Sequence, residues 1–149
     1  MRTYEADKMG MTVAEGKGRV GLRIAPACRL PDAMIEIRRT ARKGRGVFAT
    51  EEIAAGAVIA ACPVFVCAPS ESGLIGRTRL GEYQFRWADK RRTCIAFGVV
   101  SLCNHDESPN AELVPDAREE TITLVAARTI APGEEVTIRY RKRLSFVPA

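Results

Sequence analysis

A run of 18 uncharged residues, positions 53–70, constrains the fold more than any other stretch of this chain. Its length is close to that of a membrane-spanning helix. Gly56 and Pro63 lie inside it, and β-branched residues recur along it, a composition that disfavours a helix and favours extended structure. The sequence therefore predicts buried strand structure here, broken or redirected at Pro63.

Short segments that alternate apolar and polar residues lie on either side of this run, and no stretch carries a sustained helical period. The alternation predicts strands at residues 34–38, 83–87 and 136–140. Two further strands, antiparallel to each other, are predicted on either side of a charged loop that contains Asp116. The fold class indicated is mostly β, with several short strands, irregular connections and little helix.

The N-terminal segment of the chain differs in composition from the rest. Residues 1–33 contain scattered charges, several glycines and prolines, and no apolar period. We expect a flexible N-terminal leader there, a folded domain over residues 34–144 and a short C-terminal tail over residues 145–149. Because arginines interrupt the apolar residues at 20–30, no secretory signal is indicated, and we expect an intracellular, cytoplasmic protein.

The cysteines and the charge limit the classes of partner. Five cysteines with no Cys-x-x-Cys pair argue against a disulfide scaffold and a metal cluster, so buried, reduced thiols and no bound metal are expected. The formal net charge of +5 would suit an acidic partner. The basic residues do not interleave with aromatic ones, however, so neither a nucleic acid nor a membrane is an expected partner.

Two segments carry residues suited to ligand binding. Gly44 and Gly46 stand one residue apart before an apolar strand, and glycine lets a backbone approach a ligand closely because it has no Cβ. An apolar run then leads into the turn at residues 104–110, where the one histidine of the chain, His105, lies among Asn, Asp, Ser and Pro side chains. A ligand site at the edge of the core and a plain surface turn both fit this pattern.

Three segments resemble, in order and spacing, the signature motifs of the SET-domain protein lysine methyltransferases. Residues 43–49, KGRGVFA, are similar to the family's G-x-G motif. Residues 104–110, NHDESPN, resemble N-H-S-C-x-P-N, and residues 133–140, GEEVTIRY, resemble G-E-E-L-T-x-D-Y. The resemblance covers residues 34–141 and implies a SET-domain (β-clip) fold of small curved sheets. In that fold the last motif threads under the loop of the middle one as a C-terminal pseudoknot.

The resemblance also implies an activity, the transfer of a methyl group from S-adenosylmethionine to a lysine of a protein substrate. The implied cofactor-binding residues match the first two motifs: Lys43, Gly44, Arg45, Gly46, Asn104 and His105. Among them, Lys43 and Arg45 would face the cofactor's carboxylate, and His105 would contribute mainly through its backbone. Tyr140 matches the family's terminal tyrosine and is the implied catalytic residue, although a tyrosine packed in the core fits the same position.

The substrate channel has two sets of candidate residues. Tyr83, Phe85 and Trp87 recur at every second position, a pattern that suits a channel wall and also a hydrophobic core. No cysteine-rich zinc segment follows Tyr140, whereas such a segment closes the channel in many members of the family. Phe146, the tail or a second subunit would have to close it here, and a homodimer is one arrangement that would do so.

Three residues depart from the family pattern. Asp106 and Glu107 replace the usual Ser-Cys pair, and Arg139 stands where an acidic residue is common. Two hypotheses therefore remain open: an active protein-lysine N-methyltransferase, and a catalytically inert SET-like module that binds the cofactor or a protein partner. Tyr140 and the two glycines favour the enzyme, whereas the altered charges are what an inert module would explain.

Overall fold

The computed structural model describes residues 34–89 and 91–140, so the expected leader and tail lie outside the described residues. The described chain forms nine strands: β1 (Ile35–Arg39), β2 (Arg45–Ala49), β3 (Val58–Cys67), β4 (Gln84–Arg86), β5 (Thr93–Ala96), β6 (Asn104–His105), β7 (Ala111–Asp116), β8 (Thr121–Ala126) and β9 (Glu135–Ile138). One α-helix, α1 (Pro69–Ile75), and two 3₁₀-helices, Arg79–Tyr83 and Val99–Leu102, complete the elements. The prediction of a mostly β fold with little helix is confirmed.

The uncharged run forms β3, the longest strand, in a five-stranded antiparallel sheet of order β4-β5-β3-β8-β7. β3 continues through Pro63 and changes partner there, because Pro63 pairs with Thr121 of β8 and Val64 pairs with Ala96 of β5. Proline has no N–H to donate, but the Pro63 carbonyl accepts a hydrogen bond from Phe97 N at 2.9 Å. The strand is thus redirected at Pro63 and not broken. No helix in the described part of the chain is long and apolar enough to cross a membrane.

The second sheet has four strands in the order β1-β2-β9-β6. β9 runs antiparallel to β2 on one side and parallel to β6 on the other, with Asn104 opposite Thr137 and His105 opposite Ile138. Asp106 N extends this parallel pairing by donating to Ile138 O at 3.1 Å. The last strand is therefore inserted between the segments that carry the first two motifs, as the pseudoknot requires.

Both sheets contribute to one hydrophobic core. Its largest fully buried apolar side chains are Val47, Ile53, Ile59, Val100, Ile122, Leu124, Ile130, Val136 and Ile138. Full burial of one such side chain stabilises a fold by about 1.5–3 kcal/mol, so this core holds the strands of the site in place. The final strand contributes two of these residues and is anchored in the core by them.

The cysteines in the described residues agree with the expectation of buried, reduced thiols. Cys62, Cys67, Cys94 and Cys103 are buried and are not joined in disulfides, and Cys28 lies outside the described residues. Burial in the apolar interior raises the pKa of Cys94 and of Cys103 to about 12, which keeps both thiols neutral. No cluster of His, Cys, Asp and Glu able to hold a metal ion occurs among residues 34–89 and 91–140.

Two predicted strands are shorter than the sequence pattern indicates. Of residues 83–87, Tyr83 ends a 3₁₀-helix and only Gln84–Arg86 are strand. Of residues 136–140, the last two lie beyond β9, which ends at Ile138. The backbone N–H of Tyr140 donates to a histidine ring and not to a neighbouring strand, so pairing ends before it.

Candidate active site

The first motif forms a tight turn and then the start of β2. Gly44 has a φ of 77°, a left-handed conformation that favours glycine, and its carbonyl accepts a hydrogen bond from Thr40 N at 2.6 Å. Gly46 is buried, and a Cβ there would collide with Glu135 Oε1 and come within 3.0 Å of Asn104 Nδ2. The side chains of Glu135 and Asn104 therefore leave no room for any residue larger than glycine at position 46.

Asn104 joins the first motif to the last one. Its Nδ2 donates to Arg45 O at 3.1 Å and to Glu135 Oε1 at 2.6 Å. Both amide hydrogens are thus used by the protein, and the side-chain carbonyl Oδ1 remains as the group that could accept a hydrogen bond from a ligand. The sequence did not single out Glu135; its only signal was its place as the second glutamate of the last motif.

Tyr140 is held at both ends by the segment that carries β6. Its hydroxyl donates to Cys103 O at 2.7 Å, and its backbone N–H donates to His105 Nδ1 at 3.1 Å. Burial raises the pKa of Tyr140 to about 12, and the neighbouring Cys103, Tyr83 and Glu135 add to the increase. The phenol is therefore neutral near pH 7 and points its hydrogen at a backbone carbonyl.

His105 contributes its ring to the site as well as its backbone. The ring packs on the Tyr140 ring with 5.4 Å between centroids, and its Nε2 lies 3.1 Å from Glu107 Oε1. The His105 carbonyl accepts a hydrogen bond from Lys43 Nζ at 3.3 Å. The resemblance implied a mainly backbone role for His105, and the contacts with Tyr140 and Glu107 add a role for its side chain.

Comparisons with known proteins support one family. A histone-lysine N-methyltransferase of Schizosaccharomyces pombe, H3 lysine-37 specific, is 38% identical over 122 residues, which span 81% of this chain and 80% of that protein. The crystal structure of a proposed histone methyltransferase of Plasmodium falciparum matches the fold with a TM-score of 0.58 and 24% identity, over 73% of this chain and 94% of that one. The family model for the SET domain matches residues 44–141.

The chain belongs to the SET-domain family. Family membership confirms the predicted enzyme class, a protein-lysine N-methyltransferase that acts on a protein substrate with S-adenosylmethionine as the methyl donor. It also favours the enzyme over the inert module.

Two of the three residues that depart from the SET-domain motifs, Glu107 and Arg139, contact each other. Arg139 Nη2 lies 3.0 Å from Glu107 Oε2 and also donates to Glu107 O. Asp106 Oδ1 accepts a hydrogen bond from Ser108 N at 2.8 Å, which closes the turn of the middle motif. The reversed charge at Arg139 is therefore balanced locally by Glu107, a pairing that their separation of 32 positions in the sequence concealed.

A buried polar clamp fixes the SET-domain pseudoknot. The side chain of Asn110, 1% exposed, donates to Glu135 O at 2.8 Å and to Glu134 Oε1 at 3.0 Å, and accepts from Thr137 N at 2.8 Å. Glu134 also accepts from Arg128, which is the largest reason why the pKa of its carboxyl falls to about 2. The middle motif thus binds the last strand through one amide.

Of the four residues suggested for the substrate channel, the three that the structure describes differ in burial. Trp87 is 3% exposed in the core, which favours the core alternative for it, and Phe85 is half-buried against the same core. Tyr83 is 38% exposed and lies near enough to Tyr140 to affect its pKa. Phe146 lies outside the described residues.

Proposed function

We propose that this SET domain binds S-adenosylmethionine beside residues 43–46 and methylates a lysine of a histone. The observation that carries the proposal is the position of Tyr140. Its hydroxyl is fixed on Cys103 O, one residue before Asn104, and Asn104 in turn contacts the glycine turn through Arg45 O. The proposed catalytic tyrosine is therefore linked to the proposed cofactor-binding residues Asn104 and Arg45 by two hydrogen bonds and the backbone between Cys103 and Asn104.

The glycine turn and its neighbours have features that fit S-adenosylmethionine. No atom lies within 4 Å of the position that a Cβ of Gly44 would take, so there is open space beside the turn. Lys43 and Arg45 are exposed, and we propose that they bind the cofactor's carboxylate. Asn104 Oδ1 and backbone groups of His105 would receive the remaining polar atoms of the cofactor.

S-adenosylmethionine, when bound, supplies an electrophilic methyl group, and the residues of this chain orient the reaction. The incoming lysine amine has a reference pKa of about 10.4 and must lose its proton before its lone pair can attack the methyl carbon in line. Tyr140 donates its own hydrogen to Cys103 O, so its oxygen lone pairs stay available for weak C–H···O contacts of about 0.5–1 kcal/mol each. We propose that Tyr140 positions the amine and the methyl group and does not act as the base.

The substrate that we propose first is histone H3. The yeast relative is named for a lysine of H3, and the similarity spans most of both chains. An enzyme that methylates histones must be present where histones are found. We therefore propose that this protein lies with its histone substrate inside the cell, in place of the cytoplasmic location expected from the sequence.

We further propose that the lysine channel is lined by Tyr83 and closed by a segment beyond Tyr140 or by a second copy of the chain. Tyr83 is part-exposed beside Tyr140, which supports its place in the wall. Phe85 would support that wall from beneath, and Phe146 remains the candidate for closure. The homodimer remains a proposal on this ground.

The experiment that tests the function combines a binding measurement with a transfer measurement on the full chain. S-adenosylmethionine at about 100 times its Kd should stabilise the fold by about 2.7 kcal/mol, which is visible as a higher melting temperature. ATP, which shares the adenosine but lacks the sulfonium and the carboxylate, serves as the control ligand and should have no such effect. With methyl-labelled cofactor, histone H3 should be labelled, and H3 with lysine-37 replaced by arginine should be labelled less.

The outcomes separate the hypotheses. No thermal shift at millimolar cofactor would overturn the cofactor proposal. A thermal shift without label on any histone or lysate protein would instead support the inert module. Label on a protein other than a histone would keep the activity and overturn the histone assignment.

A further inference from the structure

Glu107 uses both carboxylate oxygens to connect two residues that border Tyr140. Oε1 lies 3.1 Å from His105 Nε2, and Oε2 lies 3.0 Å from Arg139 Nη2. Arg139 precedes Tyr140 in the chain, and the His105 ring accepts the Tyr140 N–H. The four residues therefore form a closed ring of contacts around the backbone of the proposed catalytic residue.

The hydrogen bonds fix which nitrogen of His105 carries the proton. A backbone N–H can only donate, so Nδ1, which receives the Tyr140 N–H, must present a lone pair. In a neutral ring the hydrogen is then on Nε2, where it points at the Glu107 carboxylate. Glu107 thus selects the tautomer that can hold Tyr140.

Building on the function proposed above, we propose that Glu107 is a positioning residue for methyl transfer, anchored by Arg139 and acting through the His105 ring on Tyr140. Without the carboxylate, the His105 ring loses the acceptor that holds its tautomer and its orientation, and the Tyr140 backbone loses a fixed partner. The hydroxyl of Tyr140 would then move relative to Cys103 O, and the reacting groups would be less well aligned.

Because the Glu107 side chain is exposed, a role in positioning can be distinguished from a role in folding stability. The side chain is 81% exposed, and exposed ion pairs contribute little to folding. Removing Glu107 should therefore leave the melting temperature almost unchanged while it lowers turnover. A merely structural residue would not produce this combination.

Matched variants test the proposal in the transfer assay. Glu107→Ala should lower kcat by at least about threefold, with the KM for S-adenosylmethionine within twofold of wild type, because orientation and not binding is lost. Glu107→Gln keeps an oxygen that accepts from Nε2 and should recover most of the activity. The control is Glu119→Ala, which also removes an exposed carboxylate paired with an arginine, Arg118, but in the β7–β8 loop. It should leave kcat unchanged.

Arg139 is tested with the same assay, and Arg118 of the β7–β8 loop provides the control. Arg139→Ala should lower kcat, whereas Arg118→Ala should not. The double variant Glu107→Ala/Arg139→Ala should lose less activity than the product of the two single losses. Both single variants remove the contact between the two side chains, and only Arg139→Ala also removes the hydrogen bond to Glu107 O. Fully multiplicative losses would overturn the link between the two residues.

The one histidine of the chain gives a readout that does not need activity. Nitrogen-15 NMR of His105 should show the Nε2–H tautomer in wild type and in Glu119→Ala, and a tautomer mixture in Glu107→Ala. If wild type transfers methyl groups and Glu107→Ala is equally fast, the inference is wrong and the proposed function stands. If no methyl transfer is found, an unchanged His105 spectrum in Glu107→Ala still overturns the positioning role, and a changed one supports it.

Discussion

At the scale of single residues, Tyr140 is the side chain on which the proposed chemistry depends. Tyr140→Phe keeps the ring and removes the oxygen that is 2.7 Å from Cys103 O. We expect methyl transfer to fall at least tenfold, equivalent to about 1.4 kcal/mol in the activation barrier. Losing one hydrogen bond should cost only about 0.5–1.5 kcal/mol of stability, so the variant should fold and bind the cofactor.

Single-turnover transfer, cofactor titration and a thermal melt on the same preparation check this expectation. A variant as fast as wild type would leave Tyr140 as a packing residue. The pH dependence gives a second check, because the phenol with a pKa raised to about 12 stays protonated near neutrality. Any rise of the rate between pH 7 and 9 should therefore persist in the Phe variant, since it would come from the substrate lysine.

The motifs could identify Tyr140, Asn104 and Gly46 from the sequence, but not what each of them contacts. The Tyr140 hydroxyl donates to a backbone carbonyl. Every residue has a backbone carbonyl, so the residue types alone could not identify Cys103 O as the acceptor. The Glu107–Arg139 pair was hidden for another reason. Their separation in sequence gives no hint that β6 and β9 lie side by side.

At the scale of elements, we expect the Asn110 amide to stabilise the insertion of β9 between β2 and β6. Asn110→Ala would leave the buried Thr137 N and the part-buried Glu135 O without their side-chain partner. Unpaired buried polar groups cost about 1–3 kcal/mol each, so we expect a loss of roughly 2–5 kcal/mol in unfolding free energy. Denaturant unfolding followed by fluorescence would measure it.

Gln84→Ala is the control for this prediction. Gln84 also donates through its amide, to Ser72 O in α1 and to Thr93 Oγ1 in β5. These two contacts are only part-buried and lie outside the sheet that contains β9, whereas the contact of Asn110 with Thr137 N is buried. The loss from Gln84→Ala should be less than half of the loss at Asn110. Equal losses would mean that Asn110 has no special part in the pseudoknot.

Strand positions followed from the sequence pattern, and so did the antiparallel pairing of β7 with β8, whereas the other strand partners did not. The segment at β1 was predicted from its alternation, and those at β7 and β8 were predicted as two strands on either side of a charged loop; the structure has strands at all three. The course of β3 through Pro63 depends on which strand lies on each side of it, and the end of β9 depends on a histidine ring. Both features depend on tertiary contacts, which cannot be predicted from a local sequence pattern.

At the scale of the whole molecule, the active site draws on segments that are far apart in sequence, near residues 45, 104 and 136. The extent of the folded unit around them remains a prediction for residues 1–33, which lie outside the described residues. The similarity to the yeast enzyme extends over 122 residues, more than the 34–144 domain contains, so a deletion series is informative.

We expect a chain that starts at Met34 to unfold within about 2 °C of the full-length protein, because residues 1–33 lack the periodic apolar side chains from which folding free energy comes. A second truncation that starts at Thr40 removes β1, whose five residues pair with β2 from Ile35–Ala49 to Arg39–Arg45. That deletion exposes the edge of β2 beside the glycine turn and should lower the melting temperature by several degrees. Cofactor binding should follow the same order, retained in the first truncation and weakened in the second. If the chain starting at Met34 aggregates or melts as low as the one starting at Thr40, residues before Met34 pack on the domain and its boundary lies earlier in the chain.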